Sequence, residues 1–117
     1  MNIEEFREYC LSKKGVTEEL PFGPDTLVYK VMGKMFGLTS LDTETFSVNL
    51  KCDPDRAIEL REEFDYIIAG YHMSKKHWNT INGDKAPTTQ MKELTDHSFN
   101  LVVQAFPKKV KLEFDNL

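Results

Sequence analysis

Cysteine, long apolar runs, and tracts rich in proline and glycine are all scarce in this chain, and each scarcity excludes something. The 2 cysteines, Cys10 and Cys52, are too few for a disulfide framework and lack CxxC spacing, so reduced thiols are expected, with Cys10 acting as a small hydrophobe on an apolar helix face. Nowhere do about 18 apolar residues follow one another, which excludes a spanning helix. Met1 leads straight into Glu4 and Glu5, whereas a secretory signal needs a basic start and an apolar run. A cytoplasmic protein with no membrane contact is expected. No low-complexity tract is present, so the chain should be ordered apart from a few terminal residues. The formal net charge is -4, which repels polyanions at long range and speaks against a general nucleic-acid coat protein; only a local basic patch could overcome it.

What remains is the makeup of an ordinary globular domain, with 40% hydrophobic and 29% charged residues. A chain of 117 residues forms one domain, residues 1–117, and buries roughly two-thirds of the surface its unfolded form exposes. A monomer is expected.

Asn2 can cap a first helix whose Ile3, Phe6, Cys10 and Leu11 share a face, with Glu4, Glu5 and Glu8 placed favourably near its N-terminus and Gly15 ending it. Pro21, Gly23 and Pro24 put too many breakers into 16–25 for a regular element, so a connection over the sheet edge is predicted there. Strand composition returns at 26–31 and 35–40, with Gly33 suited to the intervening turn. In 45–51, Phe46, Val48 and Leu50 alternate with polar residues, so one face of the sheet is buried and the other wet. Asp53-Pro54 opens a second helix whose Ala57, Leu60, Arg61 and Phe64 form a stripe; Glu59, Glu62 and Glu63 read as its solvated face. Strands are predicted at 66–69 and 76–81. After the turn at 82–84, Pro87-Thr88-Thr89 starts a long helix striped by Met91, Leu94, Ser98, Leu101, Val102 and Ala105, ending near Pro107 before a short tail.

The predicted order is α-β-β-β-α-β-β-α. Sequential strands joined by short turns pair antiparallel, and helices must cover the apolar face. The expected fold is therefore α+β, a two-layer sandwich of an antiparallel five-stranded sheet with helices on one face.

The most unusual stretch is 70–81, Gly-Tyr-His-Met-Ser-Lys-Lys-His-Trp-Asn-Thr-Ile, which carries two histidines and two lysines with no acid. His72 and His77, five positions apart on one strand, would point to opposite faces, and a third metal ligand is not evident, so no metal is assigned. Ser74, Ser98 and the cysteines lack any nucleophile signature, and the Gly70–Lys75 run lacks the second glycine and the Lys-Ser/Thr ending of a phosphate loop. No catalytic residue, cofactor or enzymatic activity is assigned; His97, beside Ser98, reads as structural. Nucleic-acid binding is the physically better reading: Lys75 and Lys76 can meet phosphates, while Tyr71, His72, His77, Trp78 and Asn79 can stack on or hydrogen-bond to bases and sugars. Alternation sets Lys76, Trp78 and Thr80 against His77, Asn79 and Ile81 and leaves open which set meets the core, so Trp78 is either a buried scaffold residue or a stacking platform. Lys30 and Lys34 at the first hairpin, with Lys108, Lys109 and Lys111 near the C-terminus, would enlarge a basic wing if the fold gathers them.

The run Tyr71–Thr80, preceded by Leu50-Lys51-Cys52-Asp53-Pro54 and Lys34-Met35-Phe36, resembles the MmcQ/YjbR family of small bacterial proteins, and Asp96–Val103 followed by Pro107-Lys108-Lys109 is similar to that family's C-terminal helix. Ser74 stands where asparagine is common, Ala69 where proline is common, and Phe99 where tyrosine is usual. The resemblance implies a CyaY-like or secretion-chaperone-like α+β fold, and it implies DNA binding through a double-wing surface. The expectation is thus a DNA-binding protein using Tyr71, His72, Lys75, Lys76, His77, Trp78 and Asn79. The alternative is a chaperone-like module that holds a peptide or another protein on the open sheet or in an apolar groove.

Overall fold

The computed structural model describes residues 1–71 and 73–117. Helix α1, Ile3–Leu11, starts where expected: Asn2 accepts from the Glu5 N–H and Glu5 reaches back to the Asn2 N–H, a reciprocal capping box. Strands β1, Val16–Glu19, β2, Thr26–Val31, β3, Lys34–Ser40, and β4, Ser47–Lys51, follow. Helix α2, Pro54–Glu63, begins on the Asp53 cap with proline in its first turn. Strands β5, Ile67–Ala69, and β6, Trp78–Asn82, lead to helices α3, Thr88–Gln104, and α4, Lys108–Asp115.

The α+β class with one antiparallel sheet is as expected; the element count is not. Among the described residues the sheet has 6 strands in the order β1-β2-β3-β4-β6-β5. The additional strand is β1, which pairs antiparallel with β2 through Val16↔Val31 and Glu19↔Val28. The breakers that argued against it, Pro21, Gly23 and Pro24, all lie in the connection beyond its last residue. The additional helix is α4: Pro107 ends α3 and also serves as the N-cap residue of the next helix. Its Phe114 packs on Phe99 and Phe106, at ring separations of 6.2 and 5.8 Å. The last strand also starts later than predicted, since Lys76 and His77 belong to the turn before it.

The helices cover one face. Phe6 and Cys10 of α1, Tyr29 and Val31 of β2, Phe36 of β3, Val48 and Leu50 of β4, Ile81 of β6 and Met91, Leu94 and Val102 of α3 form a continuous buried core. Phe6 meets Tyr29 edge-on at 5.5 Å, and Phe36 meets Phe99 in the same way at 5.6 Å. Ser98 joins helix to sheet, donating to the Phe36 carbonyl at 2.5 Å and accepting the Lys51 N–H at 3.0 Å. No helix among the described residues is long and apolar enough to cross a membrane.

The pairing register also separates charge. One end of the sheet is defined by Val16, Val31, Lys34, Lys51 and Trp78. The described residues of the connections there, 12–15, 32–33, 52–53 and 70–77, together with the adjoining strand ends, carry Lys13, Lys14, Lys34, Lys51, Lys75 and Lys76 and one acid, Asp53, to which the helices add Asp55 in the first turn of α2 and Asp96, the partner of Lys13. At the other end the connections 20–25, 41–46, 64–66 and 83–87 carry Asp25, Asp42, Glu44, Asp65 and Asp84 against Lys85. The loops at one end of the sheet, the lysine end, are thus rich in lysine, and those at the other, the carboxylate end, are rich in acids.

Candidate functional site

At the lysine end the 70–77 loop is tied down through its backbone. The Gly70 N–H donates to the Trp78 carbonyl at 2.8 Å, the His77 N–H to the Ser74 carbonyl at 3.3 Å, and the Cys52 N–H to the His77 carbonyl at 2.8 Å. Arg61, from α2, donates to the Lys75 carbonyl at 3.2 Å, and the Tyr71 N–H donates to Thr80 Oγ1 at 3.0 Å. Such fixing places the side chains without consuming them. Lys75 and Lys76 are exposed and, among the described residues, form no ion pair. The same holds for Lys34 and for the half-buried Lys51.

The structure divides the remaining predicted contacts. Tyr71, 69% exposed, and His77, also exposed, stand at the surface beside the lysines. Trp78 and Asn79 do not: they are 8% and 1% exposed. Trp78 is packed against Gly70, where an added Cβ would come within 2.7 Å of the Trp78 Cβ and 2.9 Å of its carbonyl oxygen. Asn79 faces the helical layer, where its Nδ2 donates to the Ala57 carbonyl at 3.3 Å. Both are scaffold, on opposite faces of β6: Asn79 lies under the helical layer and Trp78 is covered where Gly70 packs on it. His72 lies outside the described residues.

Of the other lysines expected in a wing, Lys30 pairs with Glu19 at 3.5 Å and Lys111 with Asp115 at 3.8 Å. Lys108 and Lys109 sit on α4, which packs on the end of α3, and not on the 70–77 loop. Lys13 is paired with Asp96, and Lys14 lies over the Phe114 ring, 4.4 Å from its centroid. Among the described residues, the lysines at this end without an ion pair or a ring beneath them are therefore Lys34, Lys51, Lys75 and Lys76.

Both thiols are kept in the neutral form. Burial pushes Cys52 up to about 11 and raises Cys10 further still, so neither is a thiolate at neutral pH. Burial, with a smaller contribution from the Arg56 charge, holds His97 below its ordinary value of 6.5. Its Nε2 accepts the Asp53 N–H at 3.1 Å, which gives it the structural role expected of it. Among the described residues no three His, Cys, Asp or Glu side chains stand together as a metal site.

A second feature has only a faint signature in the sequence. The face of the sheet away from the helices, expected to be simply wet, carries a cleft of about 600 Å³. Asn49, Thr80 and Ser47 supply polar groups to it, and Phe22, Ile68 and Met73 are among its apolar residues. The available signal was the apolar exceptions on that face: Met35, Leu38 and Ile68 stand among serine, threonine and asparagine.

A small α+β domain with a lysine-bearing loop end and a neutral cleft on its bare sheet is the class that fold and site define. The YjbR family model matches residues 11–101, and the chain belongs to the YjbR family. It is 37% identical over 90 residues to YbdF of Escherichia coli O157:H7, covering 76% of this chain and 74% of that protein. It is 27% identical over 110 residues to YjbR of Escherichia coli K12, covering 93% of each. Both relatives are described as uncharacterised proteins. Among solved structures, the Deinococcus radiodurans protein DR2400 superposes with a TM-score of 0.91 at 32% identity, over 97% of this chain and 88% of that one. A Pseudomonas syringae protein superposes with a TM-score of 0.76 at 25% identity, over 86% of this chain and 98% of its own.

Proposed function

We propose that the lysine end binds the sugar-phosphate backbone of DNA, with Lys34, Lys51, Lys75 and Lys76 meeting phosphates and the exposed rings of Tyr71 and His77 supplying stacking or hydrogen-bonding contacts. The observation that carries this reading is segregation of charge. On a chain of net charge -4, scattered lysines would find only repulsion from a polyanion, whereas lysines gathered at one end create a local attractive field. Arg61 and Cys52 hold the loop backbone in place, so less ordering entropy is given up on binding. Trp78 and Asn79 are buried and make no contact with DNA in this reading; Trp78 backs the loop at Gly70, and Asn79 ties β6 to α2.

Contacts of this kind read phosphate, so affinity should depend strongly on salt and weakly on sequence. The test is fluorescence anisotropy of labelled single- and double-stranded DNA across a salt series, with the intact chain and a Lys75→Gln/Lys76→Gln variant. Removing both lysines should weaken binding and reduce the slope of log affinity against log salt by about 0.9 for each duplex phosphate that the protein no longer neutralises. An unchanged slope would remove these lysines from the mechanism.

The alternative, a module that adds a peptide to its sheet, draws less support from the geometry. Edge strands β1 and β5 span only 4 and 3 residues, which leaves little free backbone for strand addition.

A further inference from the structure

We infer that the cleft on the open face of the sheet binds an uncharged, largely apolar small molecule that brings a hydrogen-bond acceptor, a carbonyl oxygen or ring nitrogen, to the side-chain amide of Asn49. The cleft, about 600 Å³, falls within the range of roughly 300–1,000 Å³ typical of small-ligand sites. Phe22, from the 20–25 connection, and Tyr71 and Met73, from the 70–77 loop, contribute to its walls, and β2, β3, β4, β5 and β6 all contribute to its lining.

The lining sets the ligand's charge. Among the described residues no Asp, Glu, Lys, Arg or His lines the cleft, although such residues abound elsewhere in the chain. A charged ligand buried there would give up its hydration and gain no counter-charge, a cost that an uncharged ligand avoids. Rings and thioethers from Phe22, Tyr71, Met35 and Met73 favour a flat, polarisable body. Phe22 and Ile68 are 70% and 56% exposed, apolar surface that such a ligand would take out of water.

The hydrogen-bond pattern sets its polar end. The Tyr71 N–H donates to Thr80 Oγ1, and the Thr80 hydroxyl donates to Asn49 Oδ1. That chain occupies the asparagine's acceptor and leaves its amide hydrogens, which have no partner among the described residues, to be met by an acceptor on the ligand. Pairing on both sides occupies the backbone of the central strands β3, β4 and β6, so an extended peptide laid across the cleft would find no ladder to join. A small molecule is the occupant this geometry fits.

The probe that tests this is Nile red, a neutral, flat dye with a carbonyl acceptor, titrated into the intact chain without nucleic acid while its emission is followed. Saturable one-to-one binding with a blue shift is expected, and the anionic dye 1-anilinonaphthalene-8-sulfonate should bind more weakly. Asn49→Asp keeps the acceptor for Thr80 but removes the donor, and should weaken Nile red roughly tenfold. Phe22→Ala, at a position too exposed to affect folding, should weaken it also. Emission that never saturates, or equal affinity in Phe22→Ala and the intact chain, would overturn the site. Weakening by Phe22→Ala with none by a folded Asn49→Asp would overturn the assigned acceptor. None of these results bears on DNA affinity, so this proposal and the reading of the lysine end stand or fall separately.

Discussion

Arg61 joins helix α2 to the lysine loop: its Nη2 donates to the Lys75 carbonyl at 3.2 Å while its Nε donates to the Ala57 carbonyl at 3.1 Å. The guanidinium fork makes both bonds at once, one back into its own helix and one across to the loop. A lysine ammonium on a flexible stem cannot reproduce that geometry. Arg61→Lys, which preserves charge, should cost about 1 kcal/mol in urea unfolding, the usual net worth of a hydrogen bond. In DNA anisotropy it should lower affinity while leaving the salt slope unchanged. A reduced slope would mean that Arg61 itself meets phosphate.

Trp78 offers a direct choice between scaffold and stacking platform. It is the chain's only tryptophan, so its fluorescence reports one site. At 8% exposure it should emit at short wavelength and resist quenching by iodide, both with and without DNA. Trp78→Ala should destabilise the fold by about 3–5 kcal/mol. Gly70→Ala should cost about 1–3 kcal/mol, because the new methyl meets Trp78 main-chain atoms that cannot move aside cheaply. Equilibrium urea melts read both values, and a near-neutral Trp78→Ala would contradict the scaffold role.

The Asp53–His97 contact makes stability depend on pH. Only a neutral imidazole can accept the Asp53 N–H at Nε2. Burial and then the Arg56 charge depress its titration below 6.5, against smaller opposing contributions from Glu93 and Asp53. With the folded value below the unfolded one, the unfolded chain binds more protons between the two. The contribution of His97 is therefore fully present above 6.5 and disappears as pH falls towards the depressed folded value. His97→Gln should flatten that part of the stability profile, as read by thermal melts from pH 7.5 to 5. A wild-type slope in the variant would move the effect to another group.

Much of the architecture could be read in the residues because local signals and tertiary needs agreed. Asn2 with Glu5, Asp53 with Pro54, and the alternation of Phe46, Val48 and Leu50 each have a short-range cause, and each element stands where it was expected. Strand β1 was hidden because Val16–Glu19 gains its identity from pairing with β2, a contact its own composition does not announce. Helix α4 was hidden because Pro107 reads equally as a stop and as a start.

The candidate site was legible only in part, for a similar reason. Run composition identified Lys75, Lys76, Tyr71 and His77, all of which stand at the surface. It could not show that Trp78 and Asn79 are both covered, since alternation separates the two faces without saying how much covers each. Lys51 came to the lysine end through the β4–β6 register, and Asn49 and Thr80 met through the same pairing. Such relations exist only between strands distant in sequence.

Whether one end of this sheet binds anions can be read residue by residue from amide chemical shifts in nitrogen-15-labelled protein as a short DNA duplex is added at low salt. Shifts should concentrate at Lys34, Lys51 and residues 73–77 and be reversed by added salt, with 41–46 and 83–87 unmoved. Shifts centred on the carboxylate end, or none at any position while the duplex is in excess, would contradict binding at the lysine end.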